Sequence, residues 1–354
     1  MTVSVAVVGC GWWSTTAHLP AIAADPRAEL VAVVDRDRGK RDRAVARFGA
    51  AHAFDDALAM LDAVEIDALV VATPAAHHFA VTAAALARGI PVLVEKPMVV
   101  DPAEGFQLLD LARTHGAELM VGYTFHHTPH AIRLRQEIAD GRIGTVEHVS
   151  VTFASIMRDL LRGKPETLAD GGVGFDMTET PDAGTYSTPG AGGGQAHGQL
   201  THSAALALHL TGLEPARVSA VTAAFELDVD LADALAVEFS SGAVGALDSA
   251  GMVLPGQEEI LQCRIFGSAG HIQLDAIAGR ASIHGPGGAV EELPPLAGDD
   301  LYPHGAPVAS LIRLALGEGP NLAPGELGQQ VVLLLDAALR SAREHRAIDI
   351  RRRG

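Results

Sequence analysis

The residues of this 354-residue chain that could do chemistry fall into three groups: a glycine pair with a distant acid, a lysine before a proline, and an uncharged polar helix. In the first, Val7-Val8-Gly9-Cys10-Gly11-Trp12-Trp13-Ser14 follows an apolar run and opens a helical stretch. Gly9 permits a tight turn, Gly11 lets backbone approach a pyrophosphate, and the helix amides meet its charge. Asp35 ends the next apolar run, 24 residues beyond Gly11, where a carboxylate accepts ribose hydroxyls. Together they predict binding of NAD, because Asp35 repels a 2′-phosphate; Arg36 and Arg38 blur that preference. In the second group, Lys96 stands at the C-terminal end of an apolar run, where doubly wound sheets bind ligands. In the third, Gln195, Gln199, His202, Leu206 and His209 share one face by i, i+4, i+7 spacing, without a formal charge. A solvent face would carry Lys and Glu; fixed uncharged donors and acceptors suit a polyhydroxylated ligand. Gly192–Gly194 just upstream allow close approach of backbone to ligand.

These groups need a scaffold, and the hydrophobic pattern supplies one. Val3–Val8, Leu30–Val34, Ala68–Ala72, Val92–Val94 and Leu119–Val121 read as strands buried on both faces. Helical stretches alternate with them, about Thr15–Ala24, Arg38–Phe48, Ala75–Arg88 and Ala103–His115, which predicts an α/β fold on a doubly wound parallel sheet. The pattern changes near Gly122, placing domains at 1–122 and 123–354. The second begins with a helix over Pro129–Asp140 and a strand over Val146–Ala154, followed by a glycine-rich polar segment, Ser155–Ala191, that reads as a lid. A helix over Gln195–Leu210 comes next. Short strands over Val218–Phe225, Ala234–Phe239, Ala243–Asp248, Ile260–Phe266 and His271–Leu274 then predict a large open, mainly antiparallel sheet, closed by helices over Ala306–Leu316 and Gly325–Glu344.

Composition excludes other classes. With 26 basic and 43 acidic residues the net charge is −17, a field that repels nucleic-acid backbones and acidic ligands. An acidic substrate would need local cations such as Lys96, Arg158 or Arg162. The run Arg351–Arg353 reads as a solvated terminus. No apolar run reaches membrane-spanning length and no signal peptide is evident. Two cysteines, Cys10 and Cys263, build no disulfide framework and fit a cytoplasmic protein. His126, His127 and His130, like His77 and His78, lack the motifs of a metal site, so no metal is expected. No nucleophile elbow accompanies a serine.

Four segments resemble the Gfo/Idh/MocA oxidoreductases. They are Gly9-Cys10-Gly11 through Ala17-His18-Leu19-Pro20 to Asp35; Ala72-Thr73-Pro74 with His78 and Ala85–Gly89; Glu95-Lys96-Pro97; and Gly192–Gly194 leading to His202 and Leu210-Thr211-Gly212. The resemblance implies an N-terminal Rossmann domain and a C-terminal α/β domain whose sheet forms a homodimer or homotetramer interface. It makes Lys96 the active-site lysine and places Thr73, Pro74, His78 and Glu95 along the cofactor, beside Gly9, Gly11, Trp12, Trp13, Ser14, Asp35 and Arg36. The nicotinamide would lie between the domains, with sugars, cyclitols or their derivatives as substrates.

Departures from the family pattern bear on the substrate. Ser14 replaces the third glycine or alanine. Gly198 and Ala205 stand where the family's helix carries aspartates around His202, so Tyr186 joins Lys96 and His202 as a candidate acid/base. After Tyr123, Phe125 and His126 replace the usual polar and basic residues, leaving Tyr123, His126, Gln195 and Gln199 as candidate substrate contacts. Two enzymatic functions are open: an NAD-dependent dehydrogenase of a sugar, cyclitol or glycoside hydroxyl, or a redox-neutral NAD-dependent glycoside hydrolase working by transient C3 oxidation, elimination and water addition. A non-catalytic NAD sensor would be expected to lack Lys96.

Overall fold

A computed structural model of the chain describes residues 2–165 and 179–350. Part of the segment read as a lid, 166–178, lies outside the described residues, as does the basic terminus. The described residues divide into two units: 2–124, 179–185 and 304–329 in the first, and 125–165, 186–303 and 330–350 in the second.

In the first unit, strands β1 (Val3–Val8), β2 (Ala28–Val34), β3 (His52–Phe54), β4 (Ala68–Val71), β5 (Val92–Val94) and β6 (Leu119–Val121) form one sheet in the order β3-β2-β1-β4-β5-β6. Every pair is parallel. The central strands are apolar on both faces because helices cover both; β4, β5 and β6 have no exposed residue. The chain lays β2 and β3 on one side of β1 and β4–β6 on the other, so the order reverses between β1 and β4. Their C-terminal ends therefore frame the crevice where such sheets bind ligands. β3 and the helix Ala57–Ala63 are additions to the strand–helix pattern. β3 is a three-residue edge strand with His52 and Ala53 exposed, too short and too wet to show an apolar run.

Helix boundaries reflect local chemistry. Asp37 caps Arg38–Phe48 by accepting from Lys40 N at 3.1 Å, and Asp101 caps Pro102–His115 by accepting from Ala103 N at 2.8 Å. Pro102 sits at the first helical position, and Gly116 takes the left-handed φ of 65° that ends the helix.

The second unit is built on β7 (Val146–Ala154), β8 (Pro215–Ala223), β9 (Ala232–Phe239), β10 (Val244–Ala250), β11 (Ile260–Gly267), β12 (Gly270–Asp275), β13 (Arg280–His284), β14 (Val290–Glu292) and β15 (Ile348–Asp349). They form one sheet in the order β14-β13-β12-β11-β7-β10-β9-β8-β15. It is open and mostly antiparallel, as expected, but mixed: β7 and β10 pair in parallel at its centre. Burial alternates along its strands, so Val149, Val151, Leu261, Cys263, Leu235 and Val237 face the core. The helix Thr201–Thr211 packs on β7 and β11. Its residues 201–210 are all buried, so the polar helix has no solvent face.

Two of the helices that carry site candidates begin with a π-helical turn, Ser14–His18 in the first unit and Ala196–Leu200 in the second. The wider turn rotates the residues downstream of it and spoils strict i, i+4, i+7 alignment; such turns recur at functional sites.

Candidate functional site

In the first unit the glycine turn is built by two constraints. Gly9 has φ 98°, and a Cβ there would lie 2.5 Å from Ala72 O. Only glycine lets the end of β1 pass so close to the end of β4. Gly11 differs: a Cβ there would meet nothing within 4 Å, so its backbone is open to a ligand. Ser14 donates its hydroxyl hydrogen to Gly9 O, so the serine ties the helix to the turn where glycine or alanine would only pack. Asp35 braces the turn from β2: Oδ2 accepts from Cys10 N at 2.8 Å and Oδ1 from Asp37 N at 2.9 Å. Burial first, then the Asp35 charge, pushes the Cys10 thiol up to about 12, so it stays protonated and unreactive.

The open side of Gly11, the braced Asp35 and the buried Thr73 hydroxyl, whose Oγ1 has no hydrogen-bond partner among the described residues, together fit a dinucleotide. Gly9→Ala is expected to destabilise the protein by about 1–3 kcal/mol. Gly11→Ala is expected to leave the melting temperature unchanged yet abolish its rise with NAD; thermal unfolding with and without NAD separates the two. The basic neighbours are engaged elsewhere. Arg41 donates to the carbonyls of Asp35 and Arg36, and Arg38 pairs with Asp42 at 3.5 Å. Arg36 is exposed. A buried acid not anticipated from sequence, Glu179, holds Arg43 at 2.6 Å; its charge, like that of Asp35, bears on Cys10.

At the ends of β4 and β5 the carbonyl-lined loops are joined by His78, with Nε2 2.7 Å from Thr73 O and Nδ1 3.0 Å from Pro97 O. Its ring is thus committed to positioning Thr73, Pro74 and Pro97, and burial pushes its pKa down. The peptide Lys96–Pro97 is cis. Glu95 is buried and accepts from Trp13 Nε1 and His18 Nε2, each at 2.9 Å, and from Lys96 N at 3.1 Å. Trp13 stands edge-on to Trp12, with centroids 5.6 Å apart, so both indoles stay on the glycine turn. Lys96 is half-buried; burial pushes its ammonium down and the Glu95 charge opposes that. Tyr123 is fully buried just after β6.

In the second unit, Gln195 is fully buried and donates to Ser249 Oγ at 2.8 Å and Ser155 Oγ at 3.4 Å. Its amide nitrogen thus anchors the helix. Gln199 is half-buried and His202 is 7% exposed. His202 stands edge-on to Phe125 and Phe153, with centroids 6.1 and 6.4 Å away, and Tyr302 lies 4.9 Å behind Phe125. A side chain at Gly198 would meet Met157 Cε at 3.2 Å, leaving little room for a carboxylate there. His126 stacks on His209 at 4.1 Å, and Arg135 donates to His209 Nδ1 at 2.7 Å. These two histidines therefore form a buried stacked pair. His130 donates to Pro294 O at 2.9 Å. Among the described residues no cluster of three or more metal-ligating side chains occurs. Arg158 and Arg162 both pair with Glu226, so neither is a ready anion receptor.

The glycine run is explained by packing. A Cβ at Gly193 would lie 2.5 Å from Tyr186 O, and Gly194, with φ 100°, packs against the Asp230 carboxylate. Tyr186 O also accepts from Gly194 N at 3.0 Å, which brings Tyr186 to the start of the polar helix. Asp230 caps that helix, accepting from Ala196 N at 2.6 Å. Beside it, burial and then the Asp230 charge push buried Asp233 up to about 9. Sequence spacing gave no sign of this acid pair.

Comparison with known proteins agrees with this geometry. Residues 3–123 match the oxidoreductase family with an NAD-binding Rossmann fold, and residues 131–273 match the GFO/IDH/MocA C-terminal domain. The chain belongs to the GFO/IDH/MocA oxidoreductases. Among relatives, it is 34% identical over 177 residues to a dTDP-3,4-didehydro-2,6-dideoxy-alpha-D-glucose 3-reductase of Streptomyces violaceoruber. That match covers 50% of this chain and only 52% of the relative. It is 28% identical over 375 residues to an inositol 2-dehydrogenase of Rhizobium meliloti (strain 1021), covering 99% of this chain and all of the relative. The structure of GenD2 from gentamicin A biosynthesis, in complex with NAD, is 27% identical with a TM-score of 0.80, covering 99% of this chain and 97% of that one. Like that family, this chain carries an NAD-binding Rossmann domain, and NAD is its cofactor. No helix among the described residues is long and apolar enough to cross a membrane.

Proposed function

We propose that the protein oxidises a ring hydroxyl of a sugar, cyclitol or glycoside, or reduces the matching carbonyl, with Lys96 handling the hydroxyl proton. The observation that carries this reading is a half-buried lysine beside a buried carboxylate, at the C-terminal end of β5 in an NAD-binding sheet. The names of the relatives support the substrate class: a deoxyhexose nucleotide 3-reductase and an inositol 2-dehydrogenase.

NAD, when bound, supplies the hydride acceptor. The chain's own residues do the rest. Gly11 leaves backbone open for the pyrophosphate and Asp35 presents its carboxylate to the ribose. Burial depresses Lys96, so a larger share of it is neutral near pH 8 than for an ordinary lysine, and neutral Lys96 accepts the hydroxyl proton through Nζ. Once protonated, it is held by the Glu95 charge. In the second unit, Gln199 and His202 offer uncharged polar groups, with Phe125 as an apolar wall; Tyr186, by the helix start, is a further hydroxyl donor.

The test is a panel of inositols, hexoses, nucleotide-linked sugars and glycosides, with NADH read by its absorbance and glycoside cleavage read in parallel. NADH formation with a carbonyl product is expected from at least one polyol or glycoside. Aglycone release without net NADH would replace this reading with the redox-neutral one, and neither signal across the panel would contradict both.

A further inference from the structure

His18 belongs to the segments that carry the family resemblance, yet no step of the proposed reaction uses it. Its side chain is completely buried, and it meets the charge of Glu95, with Nε2 2.9 Å from Oε1. The same oxygen accepts from Trp13 Nε1 at 2.9 Å, while Oε2 accepts from Lys96 N at 3.1 Å. Gly122 closes the remaining side, because any Cβ there would collide with the Glu95 carboxylate. Glu95 therefore cannot swing away: it is pinned by the glycine-turn tryptophan, the first helix and its own strand end.

A carboxylate buried so deeply stays charged only if donors replace the water it has lost. Burial opposes its charge, while the His18 hydrogen bond, the His18 and Lys96 charges and the Lys96 amide hold Glu95 below the ordinary carboxylate range. For Lys96, burial lowers the ammonium and the Glu95 charge supports it. Among the described residues His78 also feels the Glu95 charge, and its ring nitrogens lie against the carbonyl oxygens of Thr73, at 2.7 Å, and Pro97, at 3.0 Å.

We propose that His18 is a positioning residue for Lys96: by donating to Glu95 it keeps a fixed anion beside the lysine and so sets the pH at which Lys96 releases its proton. The proposal rests on the reading of Lys96 as the proton acceptor. Loss of the Nε2 donor lets Glu95 take up a proton more readily, removes negative charge beside Lys96 and favours the neutral amine.

The chain offers an unusually direct readout, because it contains three lysines, Lys40, Lys96 and Lys164. Full-length protein carrying 13C at lysine Cε gives three NMR signals, and Lys96→Met assigns one of them to Lys96. In wild type the Lys96 midpoint should lie below the ordinary lysine value of about 10.4. His18→Leu should lower it by about one further pH unit. His18→Gln, whose amide nitrogen sits where Nε2 does, should restore the wild-type midpoint. If leucine prevents folding, His18→Asn, too short to reach Oε1, should give the same downward shift. An unchanged Lys96 midpoint in the leucine or asparagine variant, or a glutamine variant that shifts as far as leucine, overturns the proposal. The titration needs no turnover, so it is separable from the catalytic reading. If Lys96→Met retains full turnover while His18→Leu still shifts the lysine, the proton-acceptor role is wrong and the electrostatic link stands.

Discussion

Lys96→Met is expected to lower kcat by about 10²–10⁴-fold, the usual contribution of a positioned acid or base, while NAD affinity changes little. Methionine keeps the length and apolar stem of lysine, so Glu95, His78 and the strand end lose a charge rather than a packing partner. Glu95 would lose the support of one cation but keep its Trp13, His18 and Lys96-position amide donors. In wild type the rate of oxidation should rise with pH through a midpoint below the ordinary lysine value of about 10.4, since burial lowers Lys96. That limb should be absent from the residual activity of the variant. Steady-state kinetics over pH, with NAD affinity measured by quenching of Trp12 and Trp13 fluorescence, checks both parts. A variant with wild-type kcat, or one whose loss lies entirely in NAD affinity, would move Lys96 out of the chemistry.

Asp233→Asn is expected to stabilise the protein, and increasingly so as pH rises. Asp233 is pushed up to about 9 by burial and by the neighbouring Asp230, against about 3.9 in an unfolded chain. Its folded pKa is raised, so the stability it confers is complete below about pH 4 and is lost as pH climbs towards 9. Across that window each pH unit costs up to about 1.4 kcal/mol. With its pKa raised, the acid is protonated at neutral pH, next to the Asp230 that caps the polar helix at Ala196 N. Asparagine fills the same space but has no proton to lose. The variant should match wild type near pH 5 and exceed it by about 2–4 kcal/mol at pH 8. Chemical denaturation at the two pH values reads the difference; an equal gap at both would show that Asp233 is not a buried acid held protonated.

Local patterns in the sequence were legible; long-range contacts were not. Strands β1, β5, β6 and β7 match their apolar runs because a strand buried on both faces, or alternating on one, carries its own pattern. Gly9 and Asp35 were legible for the same reason: the turn needs a positive φ at one position and a strand-end acid at another. β3, β14 and β15 are two or three residues long and exist by virtue of the neighbour they pair with. The return of residues 304–329 to the first unit depends on Gly325 and Gly328 fitting against Leu119 and Val121, contacts more than 200 positions apart.

The site shows the same divide. Glu95 was legible as a neighbour of Lys96, but its ties to His18 and Trp13 join residues 77 and 82 positions apart, and no spacing rule announces them. The face from Gln195 to His209 presumes a regular helix; the π-helical start and the burial of the whole helix turn Gln195 inward to Ser249 and pair His209 with His126. Asp230 and Asp233 look like loop acids in a chain with 43 acidic residues, and only packing distinguishes them.

The proposed reaction of this chain moves hydrogen between a carbohydrate carbon and NAD. It is tested most directly with a ring-deuterated form of whichever polyol or glycoside produces NADH, by mass spectrometry of the recovered cofactor. One deuterium in each NADH, carried by the nicotinamide ring, is expected together with an equimolar carbonyl product. NADH without deuterium, or sugar released from a glycoside with solvent hydrogen at C2 and no net NADH, would contradict it.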